Sequence, residues 1–388
     1  MSLLALKTSV QQPDAVAVAQ RLALRFAENA ANCDRTGTFP ADHFHALFEA
    51  GLLGLVTARD HGGAGAGLET AQAVISAIAA GEPSTALVLA MHYSVHATIS
   101  RGTWPPDLAA RVLEANRRGP ALLNNAQAEP GMGSPAHGGR PATTARREGG
   151  AWVVNGRKSF VTGLPGLAFA IVLALTEEER PRLIQLLVPL DSPGVSQVKT
   201  WDAAGMHATA SDDLVLHDVR IPLGDLVAEQ PADEPLRRDE AGGHVFFTLL
   251  SAVYHGVAVS ARDDLLRHLT RHTPTSLGSP LSSIPRLQEG LGDIEILLAT
   301  NARLLRSVGR DVDDGRGVGT DPLVLRHVVI DNAVRVTDLA LELGGNRGLR
   351  RDHHLERHHR DALTARAHAP QAHMIRSMLG KAAIARAT

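Results

Sequence analysis

The periodicity of apolar residues changes twice along this 388-residue chain, and these two changes constrain its fold most. In roughly the first 119 residues, apolar side chains recur at helical spacing, as in the segment FPADHFHALFEAGLL. From Leu122 the pattern becomes short apolar runs separated by Gly and Pro, which is typical of strands. Helical spacing resumes at His244 and continues to the end. The sequence therefore predicts a multidomain α+β protein with strands between two helical regions.

We place the domain boundaries at these changes. Residues 1–121 are predicted to form an N-terminal α-helical domain, 122–230 a middle β-barrel or sandwich, and 231–388 a C-terminal four-helix bundle. The segment AWVVNGRKSFV is expected to be a hairpin closed at Asn155-Gly156, and residues 224–243 are expected to be a linker. Because alternating βα units are absent, the glycines of GGAGAGLE are predicted to form an inter-helix loop and no dinucleotide-binding turn.

Charge and cysteine content exclude several classes of partner. Lys plus Arg (39) nearly balances Asp plus Glu (41), so neither nucleic acid nor an anionic membrane surface is expected to bind. No apolar run reaches the roughly 18 residues of a membrane span, and the N-terminus lacks a signal-peptide pattern, so we expect a cytoplasmic protein. Cys33 is the only cysteine, which excludes an internal disulfide and predicts a buried thiol.

Two segments carry groups suited to a planar cofactor. The segment NAQAEPGMGSP, from Asn125 to Pro135, is a loop of small residues whose backbone N–H groups can approach a ligand. About 25 residues later, Phe160 is followed by the hydroxyl of Thr162, so an aromatic face and a hydrogen-bonding group lie close together. From the residues alone, a surface turn and a core aromatic remain the alternatives.

Four ordered motifs resemble those of the acyl-CoA dehydrogenase family. The loop is similar to (A/V)(L/V)(S/T)EPxxGSD, although Ala128 and Pro135 depart from it, and the strand end is similar to (W/F)(I/V)(S/T). GMHATASDDLVLHDVRIP resembles GxRxTxSxxVxFxxVxVP, and LELGGNRGLRRDHHLERHHRDA resembles a glycine-rich helix end followed by ERxxRD, with Arg347 at a usual glycine position. The resemblance spans nearly the whole chain. It implies a flavin-dependent oxidoreductase with bound FAD, or FMN as the alternative, a small-molecule substrate and a homotetramer.

The resemblance also implies particular cofactor contacts. The residues expected to line the flavin ring, with Thr162 near its reactive N5 edge, are Asn125, Ala126, Gln127, Ala128, Gly133, Ser134, Phe160, Val161 and Thr162. Those expected to hold the pyrophosphate, partly for a neighbouring subunit, are Arg271, Gln288, Leu343, Gly344 and Gly345. A solvated helix-end cation is the alternative interpretation of Arg271.

The catalytic base of a dehydrogenase is missing. Desaturation of an acyl thioester requires a carboxylate that removes the α-proton. The position that usually supplies it, eight residues after Asp361, is Ala369, and the position used by a minority of the family is near Phe246. Glu129 and Glu240 remain candidates for a relocated base.

The sequence RAHAP after RD resembles instead the flavin-dependent monooxygenases built on the same fold, which use a C4a-hydroperoxyflavin. This resemblance implies that His368 faces the flavin as a donor or proton-transfer group, and that His92 and His96 lie near it. Buried, backbone-bonded histidines are the alternative for His92 and His96. The leading hypothesis is a two-component monooxygenase supplied by a separate flavin reductase. A dehydrogenase with a relocated base and a catalytically silent flavin-binding scaffold are the alternatives.

Histidines near the C-terminus raise a metal hypothesis, since His354 and His358 share a helix face with Glu356 nearby, and His353 and His359 adjoin them. We predict no metal here. The family resemblance assigns Arg357, Arg360 and Asp361 to structural ion pairing.

Overall fold

A computed structural model describes residues 14–132, 139–234, 237 and 239–387. The N-terminal helices are α1 (Ala15–Thr36), α2 (Ala41–Glu49), α3 (Leu68–Gly81), α4 (Pro83–Ser100) and α5 (Pro106–Arg118). The strands are β1 (Leu122–Ala126), β2 (Thr144–Glu148), β3 (Ala151–Lys158), β4 (Leu167–Thr176), β5 (Arg182–Pro189), β6 (Val195–Val198), β7 (Asp213–Pro222) and β8 (Leu226–Pro231). The C-terminal helices are α6 (Glu240–Arg271), α7 (Pro285–Asp313), α8 (Asp321–Gly344), α9 (Leu355–Thr364) and α10 (Ala372–Ala385). The predicted α+β order of helices, strands and helices is therefore confirmed.

The described strands form one connected sheet with the order β6-β7-β3-β2-β4-β5-β8, and β1 pairs in parallel with β4. Strands β1 and β2 both pair in parallel with one edge of β4, and β5 pairs antiparallel with the opposite edge of β4. The alternation of buried and exposed residues along β7 shows that one face of this strand is covered and the other reaches solvent.

The hairpin prediction at Asn155-Gly156 was wrong. These two residues lie inside β3, at an irregularity in its pairing with β7, and the Asn155 side chain donates to Asp218 across that pair. Gly156 is needed because a Cβ there would lie 2.3 Å from Thr143 Oγ1. The hairpin instead closes between β2 and β3 at Gly149-Gly150, where both residues have positive φ (55° and 80°).

The predicted linker at residues 224–243 was also wrong in part, because it contains β8, which pairs antiparallel with β5. By contrast, the segment GGAGAGLE is a loop that leads into α3, as predicted. The first amides of α3 donate to the Asp313 carboxylate at the end of α7, at 2.6 Å from Leu68 N and 2.9 Å from Glu69 N. The loop is thereby fixed against the C-terminal helices.

Helix α6 is the centre of the helical core. By length and composition alone it could cross a membrane, but 61% of its most apolar 18-residue window is buried within the protein. It contacts α3, α4, α7, α8 and α9. The apolar character of α6 is therefore that of a core helix. Cys33, on α1, is buried as predicted.

A buried ion pair joins the loop after β1 to the end of β3. Lys158 Nζ donates to Glu129 Oε1 at 2.5 Å, and the two side chains are 0% and 3% exposed. Glu129 also accepts the amides of Ala142 (2.6 Å) and Thr143 (3.1 Å). Burial alone would raise the pKa of Glu129, but these bonds outweigh it and lower the pKa. The carboxylate is therefore ionised and structural.

Replacing Lys158→Met should strand the Glu129 carboxylate and cost about 3–5 kcal/mol of unfolding free energy, measured by urea denaturation near pH 7. The double variant with Glu129→Gln should recover part of this loss. Arg118→Met, which removes an exposed pair with Glu114, is the control and should change stability by less than about 1 kcal/mol. A loss no larger in Lys158→Met than in the control would contradict this assignment.

Candidate functional site

The structure brings the two predicted flavin-lining segments together at the ends of β1 and β3. Ser159 N donates to Ala128 O at 2.9 Å, and Asn124 Nδ2 donates to Thr162 O at 3.1 Å. The side chain of Asn125 is exposed beside this junction, whereas Val161 is buried beneath it. Ala126 is buried and Gln127 and Ala128 are half-buried. Gly133 and Ser134 lie outside the described residues.

Phe160 presents a large apolar side chain to solvent from a backbone conformation that costs energy. It is 64% exposed and has φ of +58°. Met206 and Ala210, which belong to the neighbouring segment 206–212, also have positive φ (53° and 42°). Such conformations cost of the order of 1–3 kcal/mol each for residues other than glycine and cluster at functional sites. The concentration of three of them here marks this region as the candidate site.

Segment 206–212 completes the wall beside Phe160. Val161 N donates to Asp212 O (3.1 Å) and Gly163 N to Thr209 O (2.8 Å). Ser211 Oγ donates to Thr162 Oγ1 at 3.0 Å, so the hydroxyl predicted to lie near the flavin belongs to a chain of hydroxyls.

Trp201 was missed by sequence reasoning. Its ring meets Phe160 edge to face, with centroids 6.3 Å apart, and its Nε1 donates to Met206 O at 3.0 Å. The signal in the sequence that could have identified it is its position four residues before the motif GMHATASDD.

The chain of hydroxyls reaches the C-terminal helices. Thr209 Oγ1 bonds to Ser211 Oγ and donates to Met206 O, both at 2.8 Å, and Met206 N donates to Asp361 Oδ1 at 2.6 Å. By accepting this amide, Asp361 joins α9 to the middle domain. Burial raises the pKa of Asp361 to about 7.

His92 and His96 lie one turn apart on α4, and both are fully buried. His92 Nε2 donates to Leu53 O at 3.1 Å, and His96 Nδ1 bonds to Thr57 Oγ1 at 2.9 Å. Burial lowers the pKa of His92 to about 4 and that of His96 well below its usual value, so both rings are neutral. The second ring nitrogen of each has no partner within the described part of the chain. These bonds agree with the alternative of buried histidines that hydrogen-bond to neighbouring groups. The catalytic role of the two residues stays a prediction.

His368 is half-buried and held from two sides. Its Nε2 bonds to the hydroxyl of Tyr254, on α6, at 2.7 Å. Arg326, on α8, donates to His368 O at 2.6 Å and to Pro370 O. Burial, with a smaller contribution from Arg326, lowers the pKa of His368 to about 4, so the ring is neutral at physiological pH.

Arg326 is an unusual buried cation. It is 2% exposed, and the hydrogen-bond acceptors found for it among the described residues are backbone carbonyls, without a carboxylate. Burial lowers its pKa to about 10. A buried guanidinium is costly, so its retention on two carbonyls of the 368–370 segment indicates that it fixes the position of that segment.

Neither carboxylate considered as a relocated base is suited to that role. Glu129 belongs to the ion pair with Lys158, and Glu240 is exposed at the first turn of α6, so neither fits the relocated base that the sequence left open. Phe246 and Ala369 occupy the two positions where the family places a base. Asp361 and Asp212 accept backbone amides. Asp361 acts electrostatically on Tyr254, the partner of His368, but its Oδ1 already accepts the amide of Met206.

Two of the predicted pyrophosphate residues, Arg271 and Gly344, line a second region at the ends of α6 and α8. Two adjoining clefts, about 480 and 380 Å³ in volume, share His268, His272, Arg347 and Asp352. The first includes Gly344 and the second includes Arg271. Leu343 is buried against Gly290, Gly345 ends α8 with φ of +56°, and Gln288 is exposed and donates to Ser282 O. Arg347, noted as an intrusion in a glycine position, adds positive charge to both clefts.

Glu356, the carboxylate of the metal arrangement that the sequence raised and set aside, does not belong to the group formed by the two histidines. Glu356 pairs with Arg360 at 2.6 Å, and Arg360 also pairs with Asp34 at 2.7 Å. The ion pairing predicted for Arg360 is thus confirmed. His354 and His358 instead face Asp264 of α6, at 3.5 and 2.8 Å, and His359 lies 3.4 Å from Thr337 Oγ1.

Three domain models of one family match the chain. They are the N-terminal, middle and C-terminal domains of acyl-CoA dehydrogenase, over residues 13–103, 125–219 and 248–372. The Bacillus subtilis (strain 168) protein YdbM, itself classed with the acyl-CoA dehydrogenases, is 33% identical over 88% of this chain and 89% of its own length. The amino sugar nitrososynthase RubN8 of Streptomyces rubradiris is 30% identical over 89% of this chain and 83% of its own length.

A solved structure extends the likeness to three dimensions. KijD3, in complex with FMN and a dTDP-linked amino sugar, superimposes with a TM-score of 0.83 and 26% identity over 96% of this chain and 94% of its own. The sequence relatives are named for acyl-CoA dehydrogenase and nitrososynthase activities, and KijD3 shares the fold described above. The chain therefore belongs to the acyl-CoA dehydrogenase family.

Proposed function

We propose that this protein is a flavin-dependent monooxygenase with the acyl-CoA dehydrogenase fold. The observation that carries the proposal is the arrangement of segment 368–370. There Ala369 stands where most of the family has its catalytic carboxylate, and the adjacent His368 is held by Tyr254 and Arg326. The family includes the nitrososynthase RubN8, which supports a branch other than thioester desaturation.

The residues at the ends of β1 and β3 fit a flavin ring. Phe160 offers an exposed aromatic face, Trp201 supports it from the side, and Asn125 and Thr162 present polar groups at the same junction. When bound, a reduced flavin supplies the two electrons that activate O₂. FMN is supported by KijD3, and FAD by the cationic clefts at Arg271.

A monooxygenase places one oxygen atom in the substrate and releases the other as water, so its site must deliver protons and limit bulk water. His368 suits this task because it is neutral and half-buried. Burial raises the pKa of Tyr254, so its hydroxyl stays protonated. When Tyr254 donates to His368 Nε2, the ring proton lies on Nδ1, and this N–H is the donor that the proposal assigns to the flavin chemistry.

The proposal is tested by mixing protein that carries reduced FMN or FAD with oxygenated buffer. We expect flavin reoxidation in two phases, with H₂O₂ released only in the slower one, because the site protects the oxidising equivalents from water. In His368→Ala the slow phase should be at least about tenfold faster, because the site then lacks a hydrogen-bond donor and admits water in place of the ring. His373→Ala, an exposed histidine five residues on, is the matched control and should behave as the parent protein. Single-phase reoxidation of the parent would contradict the proposal.

Arg326 is expected to keep His368 neutral as well as in place. Arg326→Met should raise the pKa of His368 from about 4 towards 6.5, because a positive neighbour and a closed environment are both lost. Arg326→Lys keeps the charge and should shift it less. The titration is followed by NMR of the imidazole signal that disappears in His368→Gln, and Arg335→Met, exposed on the same helix, is the control. An unchanged titration in Arg326→Met would show that Arg326 does not act on His368.

The titration has a consequence for stability. The pKa of His368 in the folded protein lies below the unfolded value, so protonation of the ring opposes folding as pH falls from about 6.5 through about 4.

The choice between FAD and FMN can be tested at Arg271. Because FAD has a pyrophosphate that FMN lacks, Arg271→Gln should weaken FAD binding about tenfold and leave FMN binding within about twofold. The measurement is fluorescence titration with each oxidised flavin, and Arg303→Gln, exposed on α7, is the control. Equal weakening of both flavins, or of neither, would remove Arg271 from the cofactor site.

A further inference from the structure

We propose that Asp264, His354 and His358 form a binding site for one divalent cation of the zinc type where α6 meets α9. One ligand atom from each residue lies within 4.8 Å of the other two. Two imidazoles and a carboxylate are a donor set that suits Zn²⁺ and related transition metals, whereas Mg²⁺ prefers oxygen ligands. The three residues lie apart from the proposed flavin-ring site at Phe160 and Thr162. Asp264 and His354 share a cleft with Arg271, the candidate pyrophosphate residue, but the inference does not depend on the flavin function.

The separations of the two histidine nitrogens from Asp264 Oδ2 are close to those around a bound ion. His354 Nδ1 lies 3.5 Å from Asp264 Oδ2, and His358 Nε2 lies 2.8 Å from the same oxygen. Ligand atoms at 2.0–2.2 Å from a tetrahedral zinc ion are about 3.4 Å apart. The first distance already matches, and the second is a hydrogen bond that opens by about 0.6 Å when the ion replaces its proton.

Secondary structure and an ion pair hold the three ligands in place. His354 and His358 are spaced by four residues at the start of α9, so they project on one side of it. Asp264 is buried on α6, and its other oxygen, Oδ1, is paired with Arg267. This division of the carboxylate leaves Oδ2 for the cation and restrains the rotation of the group, as second-shell partners do at metal sites.

The fourth coordination position faces open space. Asp264 and His354 line the 380 Å³ cleft together with Arg267, Arg271 and His272. Three protein ligands and an accessible position allow a water molecule or a small anion to complete the coordination. The nearby guanidinium groups oppose a cation, and His358 Nδ1 is buried without a partner among the described residues. We therefore expect moderate affinity, in the micromolar range.

The test is calorimetric titration of the full chain, free of any histidine tag, with ZnCl₂ and separately with MgCl₂. The parent protein should bind one Zn²⁺ and show no saturable Mg²⁺ binding. His354→Ala should weaken Zn²⁺ binding at least tenfold. Its side chain is 49% exposed, so the fold should tolerate the change. Asp264→Asn is the second variant and should have the same effect.

The matched control is His272→Ala, which removes another exposed histidine of the same cleft and should retain parental binding. Thermal unfolding gives a second measurement, because Zn²⁺ should raise the Tm of the parent and of His272→Ala but not of His354→Ala. Absence of saturable Zn²⁺ binding in the parent would overturn the proposal. Equal binding in the parent and His354→Ala, or equal loss in His354→Ala and His272→Ala, would also overturn it, because a different set of groups would then hold the ion.

Discussion

The solvent-excluded pair between Lys158 and Glu129 is the interaction on which the candidate site depends. It joins the loop that follows β1 to the last residue of β3, two residues before Phe160. The strained conformation of Phe160 and the hydroxyl chain from Thr162 to Met206 both begin at that point. A lysine without exposed area is stabilised only when its charge is matched, so the pair also accounts for the ionised state of Glu129. A carboxylate used in this way is not a catalytic base.

The proposed reaction rests on the polar groups that stand at and beside the family's positions for the catalytic base. A thioester dehydrogenase needs an ionised carboxylate facing its substrate, and the two family positions for it are Phe246 and Ala369. What the structure offers beside Ala369 is a neutral imidazole, oriented by Tyr254 and by a buried guanidinium. Such a group can donate or relay a proton but is a weak acceptor at physiological pH. This balance of donors over bases is the ground on which we propose oxygen activation instead of desaturation.

Local sequence patterns predicted much of this and missed what depends on distant partners. The helix, sheet and helix order follows from periodicity. The two predicted flavin-lining segments meet at the bond from Asn124 to Thr162, and Arg271 and Gly344 line adjoining clefts, while their cofactor roles stay predictions. The pattern around Asn155-Gly156 has the composition of a hairpin turn, but both residues lie inside β3. There Asn155 donates to Asp218 of β7, and Thr143, just before β2, lies too close to Gly156 for any larger residue. Tyr254 is 114 residues from His368, and Arg326 is 42 residues from it. Asp264 likewise comes to His358 from 94 residues away. No periodicity or spacing rule identifies such pairs.

The most direct measurement of the central claim is anaerobic titration of the flavin-loaded protein with acyl-CoA thioesters of short, medium and long chain. The flavin absorbance near 450 nm reports hydride transfer from the substrate, and oxygen chemistry cannot contribute under these conditions. Because no carboxylate stands at either family position of the base, we predict that the absorbance persists with every thioester. Rapid bleaching by any one of them would contradict the account and would establish a dehydrogenase.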